Sequence, residues 1–228
     1  MDFSVVIPCF NEEENIFNLL EEIKNSLLSF NYELILIDDC STDNSYDVIN
    51  KYKNIENLVV IKNKVNMGQS FSLYEGVKSA KNNIIVTLDC DGQNDPKDIP
   101  KLINLYLNNE DVFLVGGIRN KRMDNTIKIL SSKFANFIRN LILHDECADT
   151  GCSLKVFDKT IFLKFPFFDG IHRFIPALFK GVNKKGVYIN VNHRQRLYGE
   201  SKYGTIKRAL KGILDIIKVM KIIKKSKC

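Results

Sequence analysis

The sequence predicts an α/β protein built on a mainly parallel, Rossmann-like sheet flanked by helices. Short runs rich in Val and Ile alternate with longer segments of helical period, as in successive βαβ units. Three acidic clusters follow directly after such apolar runs, where open α/β sheets bind their ligands. A chain of 228 residues with 45% hydrophobic composition can bury one sizeable core and is short for two independent domains.

The first half of the chain contains five predicted strands and four predicted helices. The strands are Ser4–Pro8, Tyr32–Asp38, Leu58–Lys62, Ile84–Asp89 and Val112–Gly116. The helices lie near Glu12–Phe30, Asp43–Tyr52, Gln69–Ala80 and Pro96–Leu107. Ser41 or Thr42 is the expected N-cap of the second helix, and Pro96 suits the first turn of the fourth.

The second half shows a looser pattern and ends in a basic amphipathic segment. It contains a predicted helix, Thr126–Leu143, and predicted strands at Ser153–Phe157 and Val187–Arg194. From Ile206 to Lys225, apolar residues recur at spacings of three and four opposite a row of lysines and one arginine. We therefore expect a catalytic domain over residues 1–205 and a basic helix over 206–228. This helix either lies in a membrane interface or docks on the core with its basic face exposed.

Charge is distributed unevenly along the chain. Residues 1–100 contain 8 lysines, no arginine and 17 acidic residues, whereas residues 101–228 contain 25 basic and 10 acidic residues. This distribution favours a first half that holds a cation and a second half that meets anions. The six cysteines show no paired metal-ligand spacing, so we expect reduced thiols in a reducing compartment.

The acidic cluster after the fourth strand is the clearest candidate site. Asp89 and Asp91 are separated by one residue, so both carboxylates can point at a single hard cation, and Gln93 can add a neutral oxygen. Mg²⁺ or Mn²⁺ held in this way keeps open positions for diphosphate oxygens. In the cluster after the second strand, Asp38 and Asp39 are placed to bind base or ribose groups, with capping of the next helix as the structural alternative.

These clusters in combination resemble family 2 glycosyltransferases of the GT-A fold. The first-half segments that carry the resemblance are Ser4–Glu12, Asp38–Asp43, Asn66–Gly68 and Asp89–Gln93. The second half resembles a narrower branch, the polyprenyl-phosphate and dolichyl-phosphate sugar synthases. Its matching segments are Gly117–Arg119, Asp149–Lys155, His172–Leu178 and Arg196–Gly204.

The resemblance implies roles for individual residues. The implied metal ligands are Asp89, Asp91 and Gln93, and the implied nucleotide-sugar contacts are these three with Pro8, Phe10, Glu12 and Asp38. Arg119, Arg196 and Lys202 would face the phosphates of donor and acceptor, and with the two aspartates they form the implied catalytic set.

Members of the branch often carry an Arg and, four residues later, a Ser. Here Lys128 and Ser132 occupy these positions as acceptor-phosphate residues, which keeps the charge and loses the bidentate fork.

The chemistry of a phosphate acceptor fits the basic second half. Donor diphosphate and lipid phosphate repel each other, so cations are needed to bring them together and to stabilise the leaving group. A phosphomonoester has a second pKa of about 6, so the attacking oxygen is already largely ionised near neutral pH and needs no strong general base. A sugar hydroxyl acceptor would need one, and Asp149 is the candidate, although orienting the acceptor region or capping a turn suits it better.

The expected protein is an inverting, metal-dependent glycosyltransferase that moves a sugar from GDP-mannose or a UDP-sugar to polyprenyl phosphate. Its expected partners are the nucleotide sugar, the lipid and the membrane surface, or a separate membrane-embedded subunit, with no nucleic acid.

No secretory signal or bilayer-spanning run of about 20 apolar residues is recognised, so a peripheral location on the cytoplasmic face of a membrane is expected. The alternatives are transfer to a saccharide or protein hydroxyl, or a catalytically silent nucleotide-sugar-binding module.

Overall fold

A computed structural model describes residues 2–52, 57–120, 136–196, 198 and 205–226, with side chains in the last range described for 212 and 214–226. Within these ranges seven strands form one sheet: β1 (Phe3–Cys9), β2 (Tyr32–Asp38), β3 (Leu58–Lys62), β4 (Ile84–Thr87), β5 (Val112–Arg119), β6 (Lys155–Asp158) and β7 (Lys185–Val191). Their order is β3-β2-β1-β4-β6-β5-β7. β6 is antiparallel to both neighbours, and the other pairings are parallel.

Helices cover both faces of this sheet. They are α1 (Glu13–Ser26), α2 (Ser45–Lys51), α3 (Gln69–Ser79), α4 (Ile99–Leu107), α5 (described over residues 136–143), α6 (Lys159–Phe162), α7 (Ile171–Gly181) and α8 (Thr205–Ser226). Val5 and Ile7 of β1 belong to a core cluster with α1 and α4, whereas Val6 belongs to a cluster with α3, α7 and α8. Burial on both faces explains why the parallel strands are continuously apolar.

The predicted strands of the first half are confirmed, with small shifts at their ends. β4 ends at Thr87, so Asp89 lies two residues beyond the strand in a loop. In the second half, β7 covers Lys185–Val191, whereas the predicted strand was Val187–Arg194. Pro96 lies in the predicted first turn, in a short 3-10 segment where the Asp95 carboxylate accepts a hydrogen bond from the amide of Lys97.

Two sequence expectations are corrected. Neither Ser41 nor Thr42 caps α2, which begins at Ser45; both hydroxyls bind Asn11 and so tie the end of β1 to the end of β2. Helix α7 was not predicted. His172, Arg173 and Lys180 form a polar side as in other surface helices, but Pro176 lies inside the run, and an interior proline argues against a helix in a sequence.

The C-terminal helix α8 is docked on α7 through one face. Ile216, Val219 and Ile222 are buried, and the Arg173 guanidinium bonds the Asp215 carboxylate at 2.8 Å. The opposite face is exposed and carries Leu214, Ile217 and Met220 together with the lysines, so the expected placement of the lysines opposite these apolar residues is wrong. The separation of residues 206–228 as a distinct unit stays a prediction. Among the described residues, no helix combines the length and apolarity required to cross a bilayer.

Close packing of α3 on the sheet gives a test of the fold. A Cβ at Gly76 would lie 2.5 Å from Val6 Cγ1 and 2.6 Å from Ile37 Cδ1, so Gly76→Ala should lower the free energy of unfolding by about 1–3 kcal/mol. Gly212→Ala is the matched control, because no atom lies within 4 Å of a Cβ there. Urea denaturation of both variants measures the difference, and equal stabilities would contradict the packing.

Candidate active site

The candidate site lies where β1, β2 and β4 end together. These strands are parallel neighbours, so their carboxyl ends meet at one edge of the sheet. The segments that follow them are the three acidic clusters of the sequence. The site is therefore assembled from loops held on a buried scaffold, as in other open α/β sheets.

The loop after β4 presents two carboxylates fixed by short hydrogen bonds. Asp89 Oδ1 accepts from the Gln69 side-chain amide at 2.7 Å, and the Asp89 backbone amide donates to Asn94 Oδ1 at 3.2 Å. Asp91 Oδ1 accepts from the backbone amide of Gln93 at 3.1 Å. Sequence reasoning missed Gln69 and Asn94, because contacts of this kind leave no periodic signal.

The carboxylates of Asp89 and Asp91 lie close enough to repel each other. Burial, and next to it the negative charge of Asp91, raise the pKa of Asp89 to about 6. A hydrogen bond from Ser153 and the charges of Lys155 and Arg119 act in the opposite direction. A divalent cation between the carboxylates would relieve this repulsion, so the charge distribution fits a metal site.

The oxygen atoms at this site suit a cation that takes only some of its ligands from the protein. Among the described residues, no group of three or more His, Cys, Asp or Glu side chains surrounds a common point. Mg²⁺ is commonly held by one or two carboxylates together with substrate phosphates and water. Asp89 and Asp91 fit that arrangement. Gln93 donates its side-chain amide to the Arg194 carbonyl at 3.4 Å, and its role as a metal ligand stays a prediction.

Arg196 lies beside Asp91 and is held there by Glu12. One guanidinium nitrogen hydrogen-bonds Glu12 Oε1 and lies 3.9 Å from Asp91 Oδ2. Glu12 Oε2 accepts from the Asn15 side-chain amide at 2.7 Å. The predicted cation at position 196 and the predicted acidic residues therefore meet in one cluster.

Arg119 is fixed by a bidentate ion pair with Asp149. Both Arg119 Nε and one terminal nitrogen donate to the two carboxylate oxygens at 2.7 Å, and the side chains are 14% and 7% exposed. Asp149 thus orients Arg119, and its expected role in orienting the acceptor region stays a prediction. Because both Asp149 oxygens accept from a guanidinium, this carboxylate is a poor general base.

Lys155, which sequence reasoning did not single out, is a buried cation behind the site. Its side chain is bonded to the carbonyl oxygens of Thr150 and Cys152, and the residue is 3% exposed. Its charge lowers the pKa of Asp89. Lys155 therefore supports the turn that follows Asp149 and offsets part of the negative charge.

At the end of β2, the two aspartates have different surroundings. Asp39 accepts hydrogen bonds from Asn63 and from the backbone amides of Met67 and Gly68, so it holds the loop before α3 and does not cap α2. Asp38 is fully buried, and its Oδ2 atom has no hydrogen-bond partner among the described residues. A buried acceptor without a partner is costly, which marks Asp38 as the aspartate that can receive a ligand donor.

The remaining predicted residues are distributed around this centre. Pro8 is the penultimate residue of β1 and Phe10 follows the strand; both are half-buried. Lys128, Ser132 and Lys202 lie outside the described residues, so their acceptor-phosphate roles stay predictions.

A cleft of about 410 Å³ opens on the α1 side of the loop. It shares only Gly92 with the loop after β4, and its wall includes Glu21 and Glu22. The charged residues of its wall, Glu21, Glu22 and Arg194, sum to a net negative charge, and the guanidinium is already paired with Glu22, so the cleft does not favour an anionic donor.

Comparison with known proteins identifies the family. The model of "Glycosyl transferase family 2" matches residues 4–165, which is more than half of the chain. The chain belongs to glycosyl transferase family 2. The predicted family membership is thereby confirmed, and the matched range includes the three acidic strand ends and Asp149.

Two family 2 relatives carry names of polyprenyl-phosphate sugar transferases. A dodecaprenyl-phosphate galacturonate synthase of Rhizobium johnstonii is 35% identical over 226 residues, covering 96% of this chain and 67% of the relative. An undecaprenyl-phosphate 4-deoxy-4-formamido-L-arabinose transferase of Proteus mirabilis is 35% identical over 209 residues, covering 90% and 63%. The chain thus spans about two thirds of the length of these relatives.

Solved structures of glycosyltransferases share the fold. Glucosyl-3-phosphoglycerate synthase from Mycobacterium tuberculosis superposes with a TM-score of 0.75 at 18% identity, covering 97% of this chain and 80% of that one. Mannosyl-3-phosphoglycerate synthase from Rubrobacter xylanophilus gives 0.77 at 13% identity, covering 100% and 76%. The predicted GT-A class is confirmed.

The ion pair of Arg119 and Asp149 gives a test of the site's rigidity. Asp149→Asn removes the charge that compensates a nearly buried guanidinium, so it should lower the free energy of unfolding by about 1–3 kcal/mol. Asp111→Asn, in an exposed pair with Lys185, is the control and should have little effect. Denaturant unfolding at neutral pH measures both; a stability of Asp149→Asn equal to that of the control would contradict the assigned clamp.

Proposed function

We propose that this chain catalyses inverting transfer of a sugar from a nucleoside diphosphate to the phosphate of a polyprenyl lipid, with Mg²⁺ or Mn²⁺ bound at Asp89 and Asp91. The observation that carries the proposal is the pair of carboxylates at the end of β4 with Arg119 and Arg196 beside it. The names of the relatives support the acceptor class. A solved complex of the M. tuberculosis synthase with Mn²⁺ and UDP supports the metal and the donor class.

The residues of this chain perform binding, orientation and charge stabilisation in this reaction. The cation, when bound, neutralises the charge that develops on the leaving diphosphate. Arg119, held rigidly by Asp149, and Arg196 supply further positive charge for the donor and acceptor phosphates. Asp38 offers a buried acceptor to the base or ribose.

A phosphate acceptor is favoured over a hydroxyl acceptor by the state of Asp149. This carboxylate is the candidate general base that the sequence offers, and both its oxygens are bound by Arg119. A lipid phosphate attacks with an oxygen that is already ionised, so it tolerates the loss of a base. Transfer to a saccharide or protein hydroxyl would require proton abstraction by another group.

Transfer of labelled sugar into organic-extractable product tests the reaction. A panel of GDP- and UDP-sugars, including GDP-mannose, is supplied with polyprenyl phosphate and Mg²⁺ or Mn²⁺, and lipid-phase label that disappears with EDTA is expected for one donor. Asp91→Asn should reduce this label by about 10²-fold or more while the protein stays folded, because a ligand of the cation is lost. Label in a soluble acceptor, or near-normal turnover by Asp91→Asn, would contradict the proposal.

Work on a lipid acceptor also requires contact with the membrane, and α8 offers a surface for it. On its exposed face Leu214, Ile217 and Met220 are 68%, 48% and 48% exposed. Lys218, Lys221, Lys224 and Lys225 lie on the same side of the helix. Apolar side chains interleaved with lysines suit the interface of an anionic bilayer, while the opposite face keeps the helix docked on α7.

Vesicle binding tests this surface. The triple variant Leu214→Ser, Ile217→Ser and Met220→Ser should lose most sedimentation with vesicles that contain anionic lipid, since three apolar side chains no longer enter the interface. Leu28→Ser is the matched control, because Leu28 is 77% exposed beyond the end of α1. Equal binding by the triple variant and the control would exclude this face as the contact.

A further inference from the structure

Glu12 was expected to contact the nucleotide sugar, and its surroundings give it a different task. It is 8% exposed, and both carboxylate oxygens are engaged: Oε1 by Arg196 and Oε2 by Asn15. Its backbone amide donates to Ser45 Oγ at 2.8 Å. A carboxylate with both oxygens engaged, on a backbone that is also held, cannot easily rotate toward a ligand, so Glu12 is built to hold Arg196.

The backbone that leads to Arg196 is also held against the acidic loop. Asn94 and His193 form an isolated β-bridge, and the Arg194 amide donates to the Gln93 carbonyl at 2.9 Å. Asn192 donates to the carboxylate of Asp98 at 2.6 Å. The start of the segment after β7 therefore runs along the loop that contains Asp91, and Arg196 is delivered to a defined place.

This place is within reach of the expected cation. A guanidinium nitrogen of Arg196 lies 3.9 Å from Asp91 Oδ2. The carboxylate of Asp91 is the one that would ligate Mg²⁺ or Mn²⁺. A guanidinium so close to Asp91 competes with a cation for the same negative charge. A diphosphate removes the conflict, because its oxygens can bind the metal and the guanidinium at once.

We infer that Glu12 is a positioning residue that holds Arg196 against Asp91, and that Arg196 makes the binding of metal and of donor diphosphate depend on each other. The cation alone binds weakly, because Arg196 opposes it. The nucleoside diphosphate and the cation together bind tightly, because Arg196 then donates to phosphate. This inference rests on the proposed function and adds to it an order of binding, in which the cation enters together with the donor.

Mn²⁺ binding followed by electron paramagnetic resonance tests the coupling without turnover. Mn²⁺ affinity is measured alone and with saturating UDP or GDP, in the wild type, Arg196→Gln, Glu12→Gln and the double variant. We expect the nucleotide to increase wild-type Mn²⁺ affinity by about 5- to 150-fold, the usual range of coupling between sites. In Arg196→Gln, Mn²⁺ alone should bind more tightly and the increase with nucleotide should shrink.

The double variant separates a positioning role of Glu12 from a general structural one. If Glu12 acts through Arg196, Glu12→Gln reduces the coupling in the wild type and has little further effect on it in Arg196→Gln. Arg194→Gln is the matched control: Arg194 pairs with Glu22 and Asp95 and should leave the coupling near the wild-type value. Circular dichroism verifies that each variant is folded.

The outcomes distinguish this inference from the proposed function. Wild-type coupling that survives in Arg196→Gln, or that falls equally in Arg194→Gln, would overturn the role of Arg196. Additive losses from Glu12→Gln and Arg196→Gln would overturn the role of Glu12. No Mn²⁺ binding by the wild type with either nucleotide would overturn both this inference and the proposed metal site.

Discussion

The repulsion between Asp89 and Asp91 is the interaction on which the rest of the site depends. Two carboxylates at the end of a buried strand are costly unless positive charge or hydrogen-bond donors surround them. The protein meets this requirement with neutral donors from Gln69 and Ser153 and with the charges of Lys155, Arg119 and Arg196. Burial, and next to it the charge of Asp91, still raise the pKa of Asp89, and this arrangement fits the proposed cation site.

The sheet supports this concentration of charge with a rigid base and with nearby cations. β4 lies between β1 and β6 in the middle of the sheet, and its four residues are all buried, so the loop after it starts from a rigid support. The antiparallel β6 brings Ser153 and Lys155 next to β4. Arg119 arrives at the end of β5. Strand order thus places cations from the basic second half around acids from the first half.

Much of this organisation was predictable from local sequence patterns. The parallel strands, the acidic ends at Asp38 and Asp89, and the family all follow from apolar runs and the motifs after them. Helix α7 was missed because Pro176 lies inside it, and an interior proline argues against a helix in a sequence. The roles of Asp39, Gln69 and Glu12 were not predictable, because each depends on a partner far along the chain whose distance in space only the fold determines.

A structure of the protein with Mn²⁺ and a nucleoside diphosphate tests the central claim most directly. Anomalous scattering locates Mn²⁺ without ambiguity about its identity. The account predicts an anomalous peak in contact with the carboxylates of Asp89 and Asp91, with Arg196 moved from Asp91 to a phosphate oxygen. A peak elsewhere, or a diphosphate bound while Arg196 still contacts Asp91 and no metal is present, would contradict it.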